Sequence, residues 1–215
     1  MEIQYLGHAS FKLKGKTASV VTDPFDPTLT GFKFPKGTIC DMVTVSHDHS
    51  DHNFIKAIEG QPLVFSGPGE YESKGVQIIG IATWHDTSGG NERGKNTAYR
   101  IDIDNISVVH LGDLGHKLTE EQEEFLGDID ILLIPVGGFY TIDAKTASEV
   151  VTQLEPAIVI PMHYKTPQHT VKTFGSLTGV ETFLKEMGKE GAVPLPKLKI
   201  TQDTLPQETQ VVVLE

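Results

Sequence analysis

Cysteine is almost absent from this chain of 215 residues: Cys40 stands alone. No disulfide can close within it, and a reducing, cytoplasmic setting is expected. Arginine is scarce too, with only Arg93 and Arg100, and 18 basic side chains face 29 acidic ones for a formal charge of −11. That balance argues against a nucleic-acid backbone or an anionic membrane surface as the main partner. It leaves room for an anionic small molecule, whose binding depends on the local field of a site and not on the net charge of the chain. No apolar run approaches membrane-spanning length. Met1–Tyr5 shows neither a basic stretch nor the start of a long apolar one, so no secretion signal is expected. The length suits a single α/β domain over residues 1–215; composition does not specify an oligomeric state.

Histidine and aspartate, by contrast, are concentrated. Ser46-His47-Asp48-His49-Ser50-Asp51-His52 packs three imidazoles and two carboxylates directly behind the apolar run Met42–Val45. Such crowding of ionisable groups at a strand end is costly unless positive charge holds it together, and imidazole and carboxylate are ligands for Zn²⁺ and its divalent neighbours. In an extended chain, alternate residues share a side, so the spacing predicts that His47, His49 and Asp51 converge while Asp48 and Ser50 point away. His52 leaves at another angle, towards a second ion.

Around this motif the pattern alternates between strands and helices. Strands are expected over Glu2–Leu6, Phe11–Leu13, Ala18–Thr22, Met42–Val45, Leu63–Phe65, Val76–Ile81, Ala98–Ile103 and Ile106–His110. A short helix is expected at Phe54–Ile58, and a flexible loop between Thr87 and Asn96. Further on, Thr119 and Gln122 form a capping box for a helix through Phe125. Asp143 caps a helix over Ala144–Leu154, stopped by Pro156. Ile129–Pro135 and Ala157–Pro161 read as buried strands, Val180–Met187 as a helix, and Thr209–Leu214 as the last strand. Interleaving of this kind predicts a layered α/β fold.

Three later apolar runs also end in possible ligands: Trp84-His85-Asp86, His110-Leu111-Gly112-Asp113 and Met162-His163-Tyr164. Delivery of ligands by loops at the ends of several strands is how a rigid sheet builds a site. Together with Thr22-Asp23-Pro24 and His47-Asp48-His49-Ser50-Asp51-His52, these segments resemble, in order, the five motifs of the metallo-β-lactamase superfamily. Within it the chain resembles the branch of small bacterial hydrolases similar to ascorbate-6-phosphate lactonase. It runs from Leu6-Gly7-His8-Ala9-Ser10 to Pro161-Met162-His163-Tyr164, and includes Gly67-Pro68-Gly69-Glu70-Tyr71-Glu72, Asn96-Thr97-Ala98-Tyr99-Arg100 and Pro135-Val136-Gly137-Gly138. One departure is Leu114, where lactonase-like proteins often carry threonine.

The resemblance implies a four-layered αββα sandwich with two divalent ions at one edge, zinc first, manganese or iron as alternatives. His47, His49 and His85 would hold one ion, Asp51, His52 and His163 the other, and Asp113 would bridge them. Asp23 would orient the site through hydrogen bonds, and His8 would approach it. A hydroxide shared by the ions would attack a small-molecule ester, a lactone or phosphoester, with Asp51 steering it or passing on a proton. His116 is a candidate acid or substrate contact, Tyr140 and Thr141 candidates for the pocket border, His110 a core group, and His169 a surface residue. Competing readings are a metallonuclease acting on nucleic acid, which larger relatives achieve with added basic elements, a flavin-linked diiron redox protein, in which a carboxylate would stand at His49, and a non-catalytic metal-binding module.

Overall fold

The computed structural model describes all residues, 1–215. Its strands are β1 (Glu2–Gly7), β2 (Ser10–Lys14), β3 (Ser19–Thr22), β4 (Met42–Val45), β5 (Leu63–Ser66), β6 (Gly69–Ser73), β7 (Val76–Trp84), β8 (Lys95–Ile103), β9 (Ile106–His110), β10 (Ile131–Pro135), β11 (Ile158–Met162), β12 (Leu198–Lys199) and β13 (Gln210–Val211). Its α-helices are α1 (Pro27–Thr30), α2 (Glu120–Leu126), α3 (Ala144–Leu154), α4 (Val171–Phe174) and α5 (Val180–Glu186). One sheet has the order β12-β1-β2-β3-β4-β5 and the other β13-β11-β10-β9-β8-β7-β6.

The period of a strand explains the layers. Val20 of β3 and its partner Met42 of β4 face the core between the sheets, while Val21 and Val43 turn to the opposite face. On the second sheet, Ile131, Leu133, Ile158 and Ile160 enter the shared core; Leu132, Ile134 and Val159 pack outward against Leu126, Val150 and Phe183 of the helices. The outer face of the first sheet is covered more thinly, by Phe25, Phe34 and Ile58 from loops and turns. The αββα layering expected of the resemblance is therefore present, with one outer layer reduced.

Strand directions decide where the loops emerge. β3, β4 and β5 are parallel, and β1 runs with them because two antiparallel pairings separate it from β3. In the second sheet β9, β10, β11 and β13 are parallel, and β7 shares their direction through β8. Hence His8, Asp23 and His47 leave one sheet at the same end, as do His85, Asp113 and His163 the other. Carboxyl ends of parallel strands are the usual ligand edge of such sheets.

Tyr99 ties the two sheets together just beneath that edge. Its ring is fully buried and its hydroxyl donates to Val45 O at 3.0 Å. Replacing it by phenylalanine is expected to lower the unfolding free energy by about 1 kcal/mol, read from the urea midpoint, with little change in the core.

Several sequence expectations need correction. Phe54–Ile58 is a single 3₁₀ turn, Ile55–Ala57, because Phe54 supplies no side-chain cap. β6 was not anticipated: Gly-Glu-Tyr-Glu-Ser is a half-exposed edge strand with no apolar alternation. The last strand shrinks to Gln210–Val211, the strand expected from Ile129 begins at Ile131, and α4 is additional. The Thr119–Gln122 capping box and the Asp143 cap, which accepts from Thr146 N at 2.8 Å, are as expected. No helix is long and apolar enough to cross a membrane.

Candidate metal centre

Asp113 lies at the middle of the edge where these loops meet. Its Oδ2 is 3.2 Å from His85 Nε2, 3.3 Å from His163 Nε2 and 3.9 Å from His47 Nε2, and its Oδ1 is 3.3 Å from His52 Nε2. Two groups of possible ligand atoms flank it: His47, His49 and His85 on one side, and Asp51, His52 and His163, with His8, on the other. All the side chains that the resemblance names as ligands are thus brought together. The path of the chain is not the extended one that the spacing predicted. After His47 it bends and turns, with the N–H groups of His52 and Asn53 both donating to His49 O. Asp51 is thereby carried away from His47 and His49 into the second group, and Asp48 is left exposed, bonded to Asn53.

The tautomers of two histidines follow from Asp23. Ser46 donates through Oγ to Asp23 Oδ2 at 2.6 Å, so its hydroxyl oxygen accepts from His47 Nδ1 at 2.9 Å. His52 donates from Nδ1 to the same carboxylate at 2.8 Å. Both rings therefore keep Nδ1 for the proton they donate and turn Nε2 towards Asp113. Those two nitrogens are buried without a hydrogen-bond partner, as are His163 Nε2, His163 Nδ1, His85 Nδ1 and Asp113 Oδ1. Six buried polar atoms without a protein partner, gathered in one place, call for a ligand, and imidazole nitrogens and a carboxylate oxygen are the donor types that divalent ions take. The residues present fit metal ions.

Asp51 is fixed from behind by two further imidazoles. Thr166 N–H donates to His169 Nδ1 at 3.1 Å, which leaves the proton of His169 on Nε2. That proton points at His8 Nδ1, 3.0 Å away, so His8 donates from Nε2 to Asp51 Oδ2 at 3.2 Å. His8 thus stands against Asp51. His169 does not lie on the surface: it is buried against Phe32 and Phe174. His110 is a core residue, with Nε2 donating to Ala9 O and Nδ1 accepting from Gly112 N–H.

His116 is not brought to the cluster. Its Nε2 accepts Trp84 N–H at 3.1 Å and its Nδ1 faces Lys117 O at 2.6 Å, so both nitrogens brace the backbone. Geometry gives the proposed acid role no support. Of the pocket-border candidates, Tyr140 lines the hollow above the cluster, with Leu29, Thr173 and Phe174; Thr141 does not. That hollow measures about 320 Å³.

Backbone strain gathers here too. His8, Asp23 and His163 adopt φ of 56°, 40° and 51°, the left-handed region that branched geometry disfavours. Gly112 has φ of 55°, and a Cβ on it would come within 2.4 Å of Asn96 Oδ1, the acceptor that holds Asp113 N–H. Asp86, next to His85, accepts from five donors, Ser88 N and Oγ, Gly90 N, Glu92 N and Arg93 N. Sequence reading had no signal for that role, which depends on the loop folding back.

Burial pushes the imidazoles of His47 and His169 down to about 3 and that of His8 down to about 4. Burial opposes charge on Asp113 as well, but His163 and His52 hold it well below its usual range. His52 is the converse: burial works against its proton, and Asp113 and Asp51 overcome it and raise its pKa well above the usual value. The consequence is acid sensitivity of protein stripped of metal by a chelator. Unfolded histidine takes up a proton near 6.5, whereas folded His8, His47 and His169 stay neutral until about 3 to 4. Their compatibility with folding is complete above pH 6.5 and is lost as pH falls below it, by up to about 1.4 kcal/mol per pH unit for each ring. His52, whose pKa is raised, contributes stability that is already complete below pH 6.5 and so leaves this acid loss in place. A lower urea midpoint at pH 5 than at pH 7 is expected; equal midpoints would contradict three buried neutral rings.

The family model described as a beta-lactamase superfamily domain matches residues 2–163. The chain belongs to the metallo-β-lactamase superfamily. Among its relatives there, a UPF0173 metal-dependent hydrolase of Thermoplasma acidophilum is 33% identical over 192 residues, covering 77% of this chain and 84% of the relative. A second, from Thermococcus onnurineus, is 30% identical over 199 residues, covering 77% and 85%. A Thermotoga maritima crystal structure, described as that of a Zn-dependent hydrolase of the metallo-β-lactamase superfamily, is 39% identical, with a TM-score of 0.81 over 100% of this chain and 98% of that one. Within the superfamily this chain thus sits with metal-dependent hydrolases, and its His/Asp cluster is the metal-binding one.

Proposed function

We propose that the protein is a dinuclear metal-dependent hydrolase of small-molecule esters, lactones or phosphoesters, with zinc as the first candidate metal. The observation that carries this reading is the position of Asp113 between two sets of ligand atoms, each including a buried Nε2 with no partner in the protein. His47, His49 and His85 would hold one ion, Asp51, His52 and His163 the other, and Asp113 both. Divalent ions bound there would acidify water towards a pKa of about 7 and polarise the bond under attack.

The chain's own residues supply the rest. Asp23 keeps the proton of His52 on Nδ1 and, through Ser46, that of His47 on Nδ1, so both rings present lone pairs inward. His8 occupies Asp51 Oδ2, and Asp51 Oδ1, which takes no hydrogen bond from the protein, is left to steer the attacking water or to pass a proton to the leaving group. Tyr140 and Phe174 line the same hollow as His49, Asp51, His85 and Asp113. A hollow of about 320 Å³ is of a size to take a small molecule. The lactonase-like motifs read in the sequence make a sugar-like ester a natural starting point.

The test is metal analysis of untagged protein, followed by lactone, phosphoester, thioester and β-lactam panels with Zn²⁺ or Mn²⁺. Two equivalents of metal and turnover of a lactone or phosphoester are expected. Two bound ions with silence across the panel would overturn hydrolysis, and one equivalent would overturn the bridging role of Asp113.

A further inference from the structure

We propose that Arg93 is the anchor for an anionic group of the substrate, a carboxylate or a phosphate; the inference rests on the hydrolytic reading of the metal centre. Arg93 is the only lysine or arginine on the wall of the 320 Å³ hollow that contains His49, Asp51, His85 and Asp113. A second hollow of about 570 Å³ adjoins it, floored by Trp84 and Pro68, and the two share His49 and Arg93. Arg93 therefore stands at the junction between the cluster and the space into which a substrate would extend.

Its placement is built and not incidental. Asp86 takes the Arg93 N–H at 2.8 Å, and the guanidinium donates from Nη2 to Phe139 O at 3.3 Å across the pocket mouth, 6.0 Å from the centre of the Tyr140 ring. Its acidic neighbour barely engages it, since Glu92 Oε2 is 4.0 Å away and that side chain is 65% exposed. Nε and Nη1 thus keep donors to spare. Arg100 is the contrast: Nε is shared between both Asp102 oxygens at 3.1 Å, and Nη1 donates to the carbonyls of Leu126 and Asp128. One of the chain's two arginines is consumed by the fold, while the other is presented beside the reacting centre. A planar guanidinium with free donors matches the paired oxygens of a carboxylate or phosphate. Glu92 on the same rim, within a chain of net charge −11, disfavours a polyanion, so the favoured ligand is a small molecule with one anionic group.

Zinc-loaded wild type, Arg93→Gln and Arg93→Lys would be titrated calorimetrically with inorganic phosphate and with acetate, after the zinc content of each is measured. Arg93→Gln is expected to keep its zinc and to bind the preferred anion about 10–100-fold more weakly, the loss typical of a hydrogen bond to a charged group, with Arg93→Lys between. Preference for phosphate or for acetate identifies the group. Unchanged affinity in Arg93→Gln overturns the proposal, and so does loss of zinc, which would make Arg93 a brace of its loop. If wild type hydrolyses no ester and anion affinity still depends on Arg93, hydrolysis fails and the anchor stands.

Discussion

Replacing Asp113 by asparagine is expected to cut hydrolysis by about 10³-fold or more and to leave the purified protein short of metal. The substitution is close to isosteric, and the backbone bond from Asp113 N to Asn96 remains, so the fold should survive. What disappears is the one negative charge that both ligand groups face, with four histidine nitrogens between 3.2 and 3.9 Å of its oxygens. Metal ions contribute several kcal/mol of charge stabilisation in a transition state, and about 4 kcal/mol corresponds to three decades in rate. Measurement of kcat/KM alongside metal content separates lost chemistry from lost binding. Wild-type rates with wild-type metal would place the reaction elsewhere in the molecule.

His169→Ala should have the next largest effect although His169 touches no proposed ligand atom. Its Nε2 proton fixes which nitrogen of His8 carries hydrogen, and His8 in turn holds Asp51 Oδ2. Without it, His8 is free to present its lone pair to the carboxylate, and Asp51 is no longer held in place. Loss of such an outer partner costs about 10–100-fold in metal affinity. The weakening is expected in the group of Asp51, His52 and His163 and not in that of His47, His49 and His85. Competition against a chromophoric chelator, resolved into two binding steps, reads this directly. Two unchanged steps would mean that Asp51 is positioned without help from this side.

Much of the centre was legible because the histidines and aspartates that meet there come in dense runs or directly after apolar strands. Alternating valines and isoleucines reveal where a strand ends, and strands that share a direction deliver their next residue to one edge. Legibility stopped where position depends on partners far away in sequence. His8 and His169 are 161 residues apart, and nothing local in Pro167-Gln168-His169-Thr170 distinguishes a buried imidazole from an exposed one. The motif itself misled at Asp51, since period-2 reasoning assumes an extended chain, whereas the bonds from His52 and Asn53 to His49 O close a turn. His116 misled differently: closeness in sequence to Asp113 suggested closeness in space, but Gly115 packs against His85–Asp86 and sends the ring out towards Trp84. Arg93 carried no local signal either, as its significance comes from a loop whose fold is dictated by Asp86.

That loop has an evolutionary reading. Residues 87–94 meet the Asp86 carboxylate mainly through main-chain N–H groups, with Gly89, Gly90 and Gly94 in the left-handed region fixing the path of the turn. Side chains such as Asn91 and Glu92 can therefore drift, or be exchanged by a designer, while His85 stays anchored in its strand end. A catalyst arranged this way can acquire new substrates by editing its rim, and directed libraries aimed at 87–94 offer the most economical route to altered selectivity.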